Sequence, residues 1–240
     1  MEWIEAIVCR SLDYKDSSKI LYLYTDHGTM SIIARGVKKL SSINRFLSQN
    51  GNLIKFSKTK GDFPYLKEGE LINDYENIKL DLETYTFMNH ILELVNNVID
   101  DHNDHVKMYD FIKRLLDLFN QELDPELLTF IFELKLLHFL GYGLHFKSCS
   151  ICDNPENLVY SISDGGLVCR HHLPNGRQFF DEYTYSKIKE LYYMDINKYN
   201  KVELSKSERI MMRHIIDVTY EEFICYKTKS RGILKQIKKY

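Results

Sequence analysis

The apolar residues of this chain change their period once, near Asp74, and that change restricts the folds open to it. Before it they alternate over short runs bounded by turn residues, the pattern of strands. Glu2–Arg10 alternates loosely, Ser18–Thr25 ends at Asp26-His27-Gly28, and Thr29–Gly36 is a third run. The spacing predicts a hairpin across Asp26-His27-Gly28. Asn50-Gly51-Asn52 is a turn ahead of Leu53–Ser57, and Gly61-Asp62-Phe63-Pro64 precedes Tyr65–Ile72. Five short strands with no long helix among them fit a small barrel such as the OB-fold.

Beyond Asp74 the spacing is helical. Leu80 to Ile99 and Val106 to Phe119 carry apolar stripes. Asp124-Pro125-Glu126 is a helix start, and that helix runs to Gly141. Further helices are predicted near Tyr183–Tyr193 and Ser205–Tyr226, the second opened by the capping signature Ser205-x-x-Glu208. The expected fold class is therefore α+β. An N-terminal five-stranded OB-fold β-barrel over 1–78 precedes an α-helical domain over 79–240.

One module breaks the helical pattern at 145–175. Cys149-x2-Cys152 is followed, after sixteen residues, by Cys169-x2-His172. Two side chains separated by two residues on a tight turn can point at one ion, and three thiolates with one imidazole complete a tetrahedron around zinc. A filled sphere marks a structural site, so one structural Zn²⁺ is expected on Cys149, Cys152, Cys169 and His172. His171 competes as fourth ligand; the two-residue spacing favours His172. Buried thiols beside a surface histidine, or a redox pair, are the other readings of this spacing. Leu158–Ile162 reads as a short strand and Asp164-Gly165-Gly166 as its hairpin turn. Cys9 and Cys225 sit among apolar residues and read as small buried hydrophobes.

The net charge is −2, but it is unevenly spread. From Met30 to Lys60 stand Arg35, Lys38, Lys39, Arg45, Lys55, Lys58 and Lys60, with no acid among them. From Gly61 to Leu134 there are seventeen acids against five bases. The last residues carry Lys227, Lys229, Arg231, Lys235, Lys238 and Lys239, again without an acid. Local field decides where a phosphate backbone lies, so the seven basic residues of 30–60 are the candidate DNA-binding set. The tail reads first as a solubilising end. Tyr22, Tyr24, Phe46 and Phe56 are the aromatics nearest the block; alternation does not tell which of them face water, and core packing is their ordinary role.

Other classes find little support. There is no Gly-rich phosphate loop, H-E-x-x-H or G-x-S-x-G, so no enzyme is expected. His102 and His105 flank an Asp-rich stretch that reads as a surface loop. The most apolar run, Leu127–Leu140, is interrupted by Glu133, Lys135 and His138 and cannot span a membrane. The acidic start Met1–Glu5 lacks the basic region of a signal peptide, and the cysteine usage suits a reducing compartment, so a cytoplasmic protein is expected.

The order of these parts resembles the bacterial recombination mediator family RecO over its full length. The resemblance is carried by Ile7–Tyr14, Ser17–Leu21, Tyr24–Gly28 leading to Ala34–Lys39, Glu133–Tyr142 running into Cys149–Cys152, Gly165–Cys169 and Lys229-Ser230-Arg231. His172 stands where many members carry a fourth cysteine, an exchange zinc tolerates. The resemblance implies a protein that binds single- and double-stranded DNA, anneals complementary strands, pairs with RecR, engages the tail of the single-stranded-DNA-binding protein SSB and so helps place RecA on gapped DNA. Lys135 with His138 is a candidate for the SSB-tail pocket, against the ordinary reading of an exposed helix face. A zinc-ribbon accessory factor in transcription or translation is the alternative.

Overall fold

The computed structural model describes residues 2–100, 104–173, 179–199 and 202–238. His102, Lys239 and residues 174–175 of the predicted module lie outside the described residues. The strands are β1 (Ile4–Tyr14), β2 (Ser18–Thr25), β3 (Gly28–Ala34), β4 (Leu53–Lys58), β5 (Leu66–Asn73), β6 (Leu158–Ser161), β7 (Gly166–Cys169) and β8 (Phe179–Phe180). The helices are α1 (Glu76–Leu80), α2 (Leu82–Val98), α3 (His105–Asn120), α4 (Pro125–Phe139), α5 (Glu182–Tyr193), α6 (Lys206–Phe223) and α7 (Lys229–Lys238). The chain forms two compact units, Met1–Glu126 with Thr228–Lys239, and Leu127–Lys227.

In the first unit five strands form one sheet in the order β3-β2-β1-β4-β5. Thr25 pairs with Gly28 across the predicted hairpin. The two edges meet where Ile33 bridges Tyr65 in parallel and its N–H donates to the Pro64 carbonyl at 2.9 Å. A first strand between the second and fourth, with the third closing on the fifth, is the OB-fold barrel. Inward residues alternate as a pleated strand requires: Ala6 and Val8, Leu21 and Leu23, Ile32 and Ala34, Ile54 and Phe56.

The alternation of β1 reads loosely for a physical reason. Ala6, Ile7, Val8 and Cys9 are all buried. The barrel takes Ala6 and Val8, while α2 packs on β1 and β2, and α3 packs on β2. A register shift between Val8 and Arg10 adds a bulge, beyond which β1 runs on to Tyr14. Gly51 has φ +83, and a Cβ there would run into the Met88 thioether on α2. The positive φ favours glycine here, and any other residue would also displace the Met88 side chain.

The basic C-terminal segment is a helix and not a loose end. The α7 helix packs along α2. The Glu93 carboxylate accepts from the backbone N–H of Lys229 at 2.9 Å and of Ser230 at 3.1 Å, and from the Ser230 hydroxyl at 2.8 Å. Beside it, His90 Nδ1 lies 2.6 Å from Thr228 Oγ1. A carboxylate on the free N–H groups of a helix start satisfies donors that have no intrahelical partner.

In the second unit α4 is buried on nearly all sides, which explains its apolar run. Two of its acids are buried, Glu126 and Glu133, and Glu133 takes a bidentate pair from Arg213 of α6 at 2.7 and 2.8 Å. The Tyr220 hydroxyl donates to the Glu133 carbonyl at 2.9 Å. The predicted capping box of α6 is present: Glu208 N–H donates to Ser205 Oγ at 3.3 Å, and Ser205 N–H to Glu208 Oε2 at 2.7 Å. Helix α6 ends at Phe223, and Cys225 follows it with φ 55, exposed. The expectation that Cys225 is buried is therefore corrected, because the helix stops before reaching it; Cys9 is buried as expected.

Candidate metal centre and nucleic-acid face

The module at 145–173 is a knuckle facing a hairpin. Cys149 N–H donates to the Asn154 carbonyl at 2.8 Å, and Asp153 N–H returns to the Cys149 carbonyl at 2.9 Å. This tight turn, with Asp153 at φ 58, places Cys149 and Cys152 on one side. Strands β6 and β7 form the predicted hairpin, and Cys169 ends β7. A single 3-10 turn, Arg170–His172, then brings His172 back. The β7 strand begins at Gly166, where a Cβ would sit 2.5 Å from the His145 carbonyl oxygen; only glycine lets that segment pass.

Cys149, Cys152, Cys169 and His172 present ligand atoms that all lie within 4.8 Å of one another. Zinc bonds of about 2.3 Å to sulfur and about 2.0 Å to nitrogen make tetrahedron edges of about 3.8 Å between sulfurs and about 3.5 Å from sulfur to nitrogen. The Cys152 and Cys169 sulfurs are 3.8 Å apart, and His172 Nδ1 lies 3.7 Å from Cys149 Sγ and 3.3 Å from Cys169 Sγ. The donor set and its spacing fit one tetrahedral zinc. Burial raises the Cys149 thiol, but backbone N–H groups of Cys169, Ile151 and Cys152, with His172, outweigh it and bring it down to about 6. His171 is exposed and outside the cluster.

The basic block divides by what each side chain touches. Arg35 leaves the end of β3 exposed, with its guanidinium 3.7 Å from the Tyr65 ring centroid. Tyr65 exchanges hydrogen bonds with Thr59: its N–H donates to Thr59 Oγ1 at 2.8 Å, and its carbonyl accepts from Thr59 N–H at 3.0 Å. Arg35 thereby covers a tyrosine bonded to Thr59, the residue between Lys58 and Lys60 in the chain. Lys39 and Arg45 are exposed on the connection from β3 to β4. Among the described residues Lys39, Arg45, Lys58 and Lys60 make no ion pair. Two others are partly committed. Lys38 pairs with Asp13 at 2.7 Å. Lys55 stands in register between Glu5 and Glu70, with Trp3 below it at 6.0 Å.

The aromatics sort cleanly. Tyr24 and Phe56 are fully buried, whereas Phe46 is 57% exposed beside Arg45. Tyr22 is half-buried, with Arg10 at 6.0 Å from its ring. Phe63, part of the turn Gly61-Asp62-Phe63-Pro64, is 79% exposed in the loop from β4 to β5. An aromatic inside a polar turn beside two lysines was the available signal.

A family model described as Recombination protein O N terminal matches residues 1–75, and one described as Recombination protein O C terminal matches residues 79–232. The chain belongs to the RecO family. The first match covers the barrel, the second the helices and the cysteine module. Proteins named DNA repair protein RecO from Bacillus mycoides (strain KBAB4), Bacillus cereus (strain AH187) and Bacillus anthracis are each 26% identical over 245 residues. Each alignment covers 99% of this chain and 98% of the relative. No helix among the described residues is long and apolar enough to cross a membrane.

The second unit of this RecO-family chain also holds a cleft of about 410 Å³. Lys135, His138 and His145 line it together with Tyr192 and Tyr193. Lys135 Nζ donates to the Tyr192 carbonyl at 3.1 Å, and the Tyr192 hydroxyl lies 3.0 Å from His138 Nδ1. Burial lowers the Lys135 ammonium below its ordinary range, partly offset by Asp195. Lys135 and His138 are thus cleft walls and not a plain helix face. What the sequence did not reveal is the aromatic pair from α5 that completes the cleft.

Proposed function

We propose that this chain is a DNA repair and recombination mediator acting by binding, without covalent chemistry. It binds single- and double-stranded DNA on the barrel and anneals complementary strands. With RecR it helps load RecA onto gapped DNA coated by SSB, in the cytoplasm. The observation that carries this reading is the full-length family match over a barrel whose Arg35, Lys39, Arg45, Lys58 and Lys60 make no ion pair among the described residues. Such cations neutralise phosphate without reading sequence, as annealing requires. Lys38 and Lys55 contribute less, since each already meets a carboxylate. Exposed Phe46 and Phe63 add surfaces on which bases stack.

The division of labour belongs to the same proposal: a DNA-binding domain over 1–78 and a helical domain over 79–240 that carries partners. Cys149, Cys152, Cys169 and His172 hold one structural zinc that staples the module. The acidic tail of SSB takes the cleft of Lys135, His138, Tyr192 and Tyr193, which offers the Lys135 ammonium for a carboxylate and aromatic rings for an apolar group. The test is annealing of complementary strands with and without an SSB coat. Faster annealing of coated strands supports the reading. Acceleration confined to one nucleotide sequence would instead favour an accessory factor of transcription or translation.

A further inference from the structure

A second cationic site lies in the first unit, formed by residues outside the basic block. A pocket of about 380 Å³ opens between the barrel and the helices that follow it. Two lysines reach it, Lys19 of β2 and Lys79 of α1, and no carboxylate lines it. Lys79 is half-buried and makes no ion pair among the described residues. Its ammonium is held by amide oxygens alone, those of Asn52 and, at 3.4 Å, Gln49. Burial lowers it below its ordinary range, and the charge of Asp74 offsets only part of that. A half-buried cation with neutral partners leaves a positive field that an anion can satisfy.

The remaining wall is rich in donors. Ser11 Oγ accepts from Lys19 at 3.4 Å, which leaves the Ser11 proton free to donate. Asn50 spends one amide N–H on Asn89, at 3.2 Å, and keeps the other. Gln49 accepts from Lys79 through Oε1, so its NH₂ remains. Tyr85 adds a hydroxyl. The Ser48 hydroxyl is already spent on the Arg45 carbonyl at 2.8 Å. Asp13, in register opposite Lys19, is taken by Lys38 at 2.7 Å and lies outside the lining, so two ammonium groups and several neutral donors make a set for a tetrahedral oxyanion.

We propose that this pocket binds a phosphate group, with Lys19 and Lys79 as its cations and Ser11, Gln49, Asn50 and Tyr85 as neutral donors. The site needs no other part of the DNA face, so free phosphate occupies it even where the barrel's basic block is disabled. A phosphate of a DNA strand and a free phosphate present the same chemistry to it.

The experiment is a titration of the full chain with inorganic phosphate and pyrophosphate, followed by NMR or calorimetry. The wild type binds, and Lys19→Ala and Lys79→Met each weaken binding about tenfold or more, as losing a charged hydrogen bond should. Lys19 is half-buried on β2 and outside the apolar core, so its replacement should fold and the pair stays informative if Lys79→Met unfolds. Competition by 5′-phosphorylated and 5′-hydroxyl oligonucleotides identifies the source. Preference for the phosphorylated strand marks a strand end, equal competition marks the backbone, and competition by neither marks the free anion. No phosphate binding by the wild type, or equal binding by a folded Lys19→Ala protein, overturns the site. The DNA reading is tested separately, by variants of Arg35, Lys39 and Arg45.

Discussion

The Arg35 guanidinium lies over the Tyr65 ring, 3.7 Å from its centroid, at the point where β3 closes on the segment leading into β5. The ring orients the cation without neutralising it, which an acid partner would do. Barrel closure and one exposed cation of the block thus meet in one contact. Tyr65→Ala should weaken single-strand binding several-fold, whereas Tyr65→Phe should keep it, since the face of the ring and not its hydroxyl makes the contact. Fluorescence anisotropy with a labelled oligonucleotide reads both. Equal affinity for Tyr65→Ala and wild type would remove Arg35 from the binding face.

Metal analysis of purified protein should give about one zinc per chain. Cys149→Ser should abolish it and lower the melting temperature by ~5 °C or more, the effect of losing about 2 kcal/mol in a domain of this size. His172→Cys should keep the metal, because sulfur replaces nitrogen in an existing tetrahedron. His171→Ala should change nothing, since His171 stands outside the cluster. Zinc lost from His171→Ala and kept in His172→Ala would reassign the fourth ligand.

The buried pair of Glu133 and Arg213 should be costly to break. Arg213→Ala leaves Glu133 without its bidentate partner and should destabilise the chain by ~3–5 kcal/mol. Glu133→Leu combined with Arg213→Met should cost less, because neither buried charge then needs a partner and Asp217, which loses its 3.0 Å contact with Arg213 Nε, is partly exposed. Denaturant midpoints of the three proteins decide it. A double variant worse than Arg213→Ala would show that this pair contributes net stability.

Much of this was readable in the chain. The turns at Asp26-His27-Gly28 and Asn50-Gly51-Asn52 delimit strands because short-range chemistry determines them. The Cys149, Cys152, Cys169 and His172 set was readable because ligand spacing is local on each side. Three things were hidden. The length of β1 was masked by its bulge and by burial on both faces. The α7 helix was read as a tail because its charges dominate its composition, while Glu93, the residue that holds its start, lies 136 positions away from Lys229. Likewise, which aromatics are wet depended on α2 and α3 covering the sheet, so Tyr24 and Phe63 could not be told apart by alternation.

The Glu93 contact predicts a pH dependence. Burial would raise this carboxyl, but the N–H groups of Lys229 and Ser230 and the Ser230 hydroxyl outweigh it and hold it below its usual value of 4.5. A depressed carboxylate stabilises the fold fully above its unfolded value and loses that contribution as pH falls through the folded one. The destabilisation by Glu93→Gln should therefore be about 1 kcal/mol near neutral pH, after allowance for solvent, and should shrink below about pH 4. A difference that grows with acid would contradict the assignment.

The most direct test of the central claim is a salt series of single-strand affinity for wild type and for Arg35→Glu, Lys39→Glu, Arg45→Glu combined. Each phosphate neutralised contributes about 0.7 to the slope of log affinity against log salt for single strands. The triple variant should keep its melting temperature, lose most of its affinity at low salt, and show a slope shallower by about 2. A folded triple variant with wild-type affinity and wild-type slope would place DNA binding elsewhere on the chain.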